Sequence, residues 1–107
     1  MLQVAVVMDS QGLVRHWSSL AQELFGYPAD QALGKSLGDL IVPARARPFH
    51  EAGLRRYAQT REPHCVGQLV EIEALHSQGH GVAIQMKIVP REESGQLFFD
   101  AHIDARQ

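Results

Sequence analysis

The chain has 107 residues, 45% hydrophobic and 21% charged, with a formal net charge of −2. That length allows one domain with one modest core, and the mild negative charge offers no basic field to attract nucleic acid or anionic lipid. The single cysteine, Cys65, excludes an internal disulfide and a multi-cysteine zinc site.

Gln3 to Met8 is a β-branched apolar run that stops at Asp9-Ser10-Gln11-Gly12, the pattern of a buried strand ending in a turn. Leu13 to Trp17 is a second strand, close enough to pair with the first as a hairpin. Ser18 or Ser19 then caps a helix whose buried stripe is Leu20, Leu24 and Phe25, and Gly26 ends it. Asp30, Ala32 and Leu33 suit a one-turn helix after Pro28, and Ser36 to Ile41 suit another after the Gly34-Lys35 break.

Pro43 opens a longer segment, and Phe49, Gly53, Leu54 and Tyr57 fall at helical spacing, which predicts an inward face ending before Glu62-Pro63. Basic residues between Arg45 and Arg61 are read as its solvated face. Three strands follow, at His64 to Leu75, Gly81 to Val89 and Gln96 to Asp104. The polar, Gly-containing stretches His76 to Gly79 and Arg91 to Gly95 are their hairpin connections. Period-two patterning puts Val70, Ile72 and Ala74 on one face, with Val82, Ile84, Met86 and Ile88 and then Leu97, Phe99, Ala101 and Ile103. Glu71 and Glu73 fall on the opposite face, read as the solvated or dimer-facing side.

The order ββ, helices, βββ predicts an α+β fold: a five-stranded antiparallel sheet with short helices and one longer helix packed on one face. Asp9, Gly12, Trp17, Ala21, Leu24, Phe25, Gly26, Tyr27, Ala32, Leu33, Gly34 and Leu37 follow the pattern D-x-x-G-x-I-x-x-W-N, A-x-x-L-F-G-Y, A-L-G-x-x-L. In this the whole chain, residues 1–107, resembles a single PAS domain, a fragment of a larger signalling protein. Ser18 stands where the family usually has Asn, and Asp104-Ala105-Arg106 keeps only the acid of the usual Asp-Ile-Thr ending.

The resemblance implies a sensory or regulatory module of a larger signalling protein such as a histidine kinase of a two-component system, a diguanylate cyclase or a transcription regulator. Such a module binds a small molecule in an apolar pocket, or pairs as a homodimer, and relays a conformational shift to an output domain in the same parent protein. Leu2, Val4, Val6, Val7 and Phe98 are the expected dimer surface. No phosphate loop, nucleophile elbow or kinase box is present, so the segment is expected not to be an enzyme. A stand-alone activity would need several of His50, His64, Glu71 and His76 in one cleft. No apolar run approaches the roughly 18 residues of a membrane span, and the segment is expected to be cytoplasmic without membrane contact.

His50 is the sharpest candidate for chemistry. The stretch from His50 to His64 resembles the long helix of haem-binding, oxygen-sensing PAS domains. That likeness implies His50 as the proximal iron ligand, Arg56 and His64 near the propionates, and Val66, Ile72, Ile84, Met86 and Leu97 along the slot. Where such sensors place a distal arginine, this chain has Val70. The pattern H-x-x-G-L-x-R-Y also occurs in PAS domains not known to bind haem, and the preferred reading makes His50 a packing residue with no cofactor assigned. Flavin is a weaker candidate still: the G-x-N-C-R-F-L-Q motif of flavin photosensors is absent, Cys65 is read as inert, and Trp17 and Tyr27 as packing residues. His76 and His80 flank a turn without a third ligand and are not read as a metal site.

Overall fold

Asp9 organises the first hairpin. In the computed structural model, which describes residues 2–60 and 67–106, its carboxylate accepts the Gln11 and Leu13 N–H groups at 2.9 and 3.0 Å and holds the Arg15 guanidinium at 3.0 Å. This side-chain-closed turn, with Gly12 at φ 82°, joins strands β1 (Gln3–Asp9) and β2 (Val14–Trp17). Of the two candidate serines, Ser18 is the cap. It is extended, and its hydroxyl accepts the Ala21 N–H at 3.2 Å, so helix α1 runs Ser19–Phe25. Gly26, at φ 79°, closes α1 by donating to the Gln22 carbonyl.

Two single-turn helices follow, α2 (Ala29–Ala32) and α3 (Leu37–Ile41). A 3₁₀ turn at Ala44–Ala46 leads into α4 (Arg47–Thr60). Phe49, expected to face inward, is 82% exposed. The inward stripe is instead His50, Leu54 and Tyr57, spaced four and three residues apart, and Phe49 lies about 100° away from it around the helix.

Strands β3 (Leu69–Leu75), β4 (Gly81–Glu93) and β5 (Gln96–Ala105) complete one antiparallel sheet in the order β2-β1-β5-β4-β3. The predicted start of β3 at His64 lies outside the described residues; Gly67 and Gln68 form a turn before it. β4 runs four residues past its predicted end, leaving only Ser94 and Gly95, at φ 53° and 77°, as a tight turn. Arg91 is held in the strand because its guanidinium bonds the Asp100 carboxylate at 3.1 Å and lies 5.1 Å over the Phe98 ring. Pro90 is tolerated because β3 pairs with β4 only as far as Lys87, so one edge of β4 is open there.

The apolar faces of β1, β4 and β5 meet α1, α3 and α4 in one core, with no buried polar or charged residue among those described. Trp17 anchors one end. Its indole donates to the Tyr27 carbonyl at 2.8 Å and its ring lies 5.7 Å from that of Phe25, so both aromatics named in the sequence are used in packing. A β-bulge between Val4 and Val6 reverses the expected facing in β1. Val6 turns inward and is 1% exposed, Val7 is buried, and of the predicted dimer surface only Val4, at 38%, is well exposed.

Candidate functional site

Arg47 locks the first turn of α4 to α3. Its Nε donates to the Gly38 and Val42 carbonyls, each at 3.0 Å, closing the C-terminal end of α3 with a cation. One turn on, the His50 ring lies against the α-carbon of Gly38, where a Cβ would come within 3.3 Å of its Cδ2. The two short segments and α4 are thereby held off the sheet, and a cavity of about 240 Å³ remains between them.

Its floor is Val6 and Met8 of β1, Met86 and Ile88 of β4, and Phe99, Ala101 and Ile103 of β5. Its roof is Leu37, Ile41, Val42, Pro43, Ala46 and His50, and Ile72 to Ala74 close the side. Only two lining side chains are polar. Glu73 is exposed, as expected of its face; it also borders the cavity rim and pairs with Arg45 of the 3₁₀ turn at 3.7 Å. Its partner segment reaches the edge strand because no further strand covers β3. His50 is half-buried, and burial pushes its imidazole below the ordinary histidine value of 6.5, partly offset by Glu51. It makes no hydrogen bond to any described residue.

Of the residues singled out in the sequence, His50, Ile72 and Met86 line this cavity together. Ile84 is fully buried in the core but does not reach the cavity. Leu97 is buried in the core farther along β5, where it borders a polar surface groove with Asp9, Ser10 and Gln11 rather than the cavity. Arg56 is exposed on α4, six residues and about 120° around the helix from His50. His64, Cys65 and Val66 lie outside the described residues. Glu71 pairs with Arg106 at 3.0 Å, and His76 stacks on His80 with centroids 4.2 Å apart, so neither joins His50. No group of three metal-ligating side chains forms among the described residues.

The lining residues that pattern alone missed are those of β1 and of the α3-to-α4 connection. A bulge and helices of a single turn leave no periodic signal, and Pro43 was the only marker of the roof.

A family model for the PAS fold matches residues 4–102. The chain belongs to the PAS family. It is 26% identical over 102 residues to an uncharacterized protein of Azorhizobium caulinodans, covering 95% of this chain and 14% of that one. It is 24% identical over 98 residues to the sensor protein FixL of Bradyrhizobium diazoefficiens, covering 92% of this chain and 19% of that one. This PAS domain therefore spans less than a fifth of the length of these relatives. Among solved structures it is similar to the PAS domain of the Cronobacter turicensis RpfR quorum-sensing receptor in complex with C12:0. The TM-score is 0.74 at 12% identity, covering 97% of this chain and 93% of that one, a likeness of fold.

Haem does not fit this PAS cavity. Its 240 Å³ is below the range of about 300–1,000 Å³ for drug-sized ligands, and a tetrapyrrole is larger still. A proximal histidine also needs its second nitrogen fixed by a partner, which His50 lacks among the described residues. Val70 supplies no hydrogen-bond donor at the distal position.

Proposed function

We propose that this PAS domain is a sensory module that takes a small apolar molecule into the cavity beneath α4. One observation carries the reading: a pocket walled almost wholly by hydrocarbon, whose roof hangs on a few polar contacts rather than on the sheet ladder. A ligand that fits better when the roof is displaced favours that arrangement by its differential affinity, and the strands and termini carry the bias to an output domain of the parent protein. The sensor relative and the C12:0 complex of the RpfR domain support a module of this kind. In this reading the segment works in the cytoplasm without catalysis of its own; no helix among the described residues is long and apolar enough to cross a membrane.

Pairing of two copies is a second element of the proposal, supported by Val4, which is exposed on the outer sheet face beside the half-buried Leu2. Val4→Glu is then expected to shift the sedimentation coefficient towards that of a monomer.

The sensory reading is tested on protein purified from its expression host, with an absorption spectrum followed by mass spectrometry of molecules released on denaturation. A stoichiometric apolar compound supports it. A Soret band abolished by His50→Ala would replace it with haem-based gas or redox sensing, and flavin absorbance with redox or light input.

A further inference from the structure

We infer that the cavity selects a small neutral molecule bearing one hydroxyl or carbonyl group, and that His50 is the residue that reads that group. The inference rests on the sensory reading above and narrows its ligand.

Every side chain lining the cavity is hydrocarbon or thioether except His50 and Glu73. Glu73 lies at the rim, its side chain 60% exposed and engaged by Arg45. That leaves His50 as the one polar side chain of the cavity wall that is not at the exposed rim, and it has no hydrogen-bonding partner among the described residues. A neutral imidazole carries one donor and one acceptor. A hydroxyl satisfies either, and a carbonyl satisfies the donor.

Charge is selected against by desolvation. Moving a carboxylate into an apolar pocket costs far more than a single imidazole contact returns. An ammonium faces the same desolvation without a carboxylate inside to receive it. Burial that keeps His50 neutral removes the cationic partner an acid would need. Size is bounded as well. At about 30 Å³ for each water-sized atom, 240 Å³ holds roughly eight heavy atoms. Gly38 is part of the device, since a side chain there would press on the imidazole from behind.

Hexanol, hexanoate and cyclohexane distinguish the terms, each titrated at neutral pH while amide chemical shifts of the cavity strands are followed. Hexanol is expected to bind about tenfold more tightly than either other probe, the worth of one hydrogen bond. His50→Phe is expected to erase its advantage over cyclohexane while cyclohexane still binds, which shows the cavity intact; His50→Leu serves if the Phe variant does not fold. Hexanoate binding as tightly as hexanol, or a hexanol preference that survives both substitutions, overturns the inference and leaves the sensory reading standing. Failure of all three probes to perturb the cavity overturns the inference together with the cavity reading beneath it.

Discussion

Arg47 and Gly38, nine residues apart, are joined by a 3.0 Å hydrogen bond from the guanidinium Nε to the carbonyl oxygen in the first turn of α3. The same nitrogen reaches the Val42 carbonyl, so one side chain ties the start of α3 to the residue that follows it, across a five-residue helix that propensity alone would not sustain. Arg47→Ala is expected to cost about 2 kcal/mol, the worth of a charge-assisted bond to carbonyls left without that donor. Urea unfolding measures it, and a loss below a few tenths of a kcal/mol would show that the roof is held by packing alone.

The Ser94-Gly95 turn has both residues at positive φ, the geometry that Asn-Gly fills best. Ser94→Asn is expected to raise stability by about 0.5 kcal/mol, and Gly95→Ala to lower it by about 1 kcal/mol. The two thermal midpoints should move in opposite directions; a shared direction would place the turn in another conformation.

Acid should weaken the fold in part through His50. Burial holds its folded-state value below 6.5, so the unfolded chain takes the proton first. The stability tied to the neutral ring is complete above that ordinary value. It is lost as pH falls from there through the lowered folded-state value. His50→Phe is expected to flatten this limb in a comparison of urea midpoints against pH, and superimposable curves for the two proteins would contradict it.

Ala101 lies on the cavity floor between Val6 and Ile88. Ala101→Val adds two methyl groups to empty space on a strand that favours β-branching. The expected gain is about 1 kcal/mol. The same change should weaken cyclohexane binding severalfold, so a more stable protein with undiminished affinity would put the ligand elsewhere.

The sequence by itself determined the architecture. Period-two runs in β4 and β5, a serine cap at Ser18 or Ser19, the Gly26 stop and the Asp9-to-Gly12 turn are each set by neighbours a few residues away, so local chemistry was enough to read them. The cavity was only half legible. His50, Ile72 and Met86 could be named, whereas Leu97, Arg56 and Ile84 do not line it and Val6, Met8 and Ile41 were missed. Which residues face one another was decided by the tertiary structure. A bulge put Val6 on the face opposite to Val4, and the packing of α4 left Phe49 in solvent and His50 at the cavity. Those outcomes depend on contacts between elements, and no local pattern encodes them.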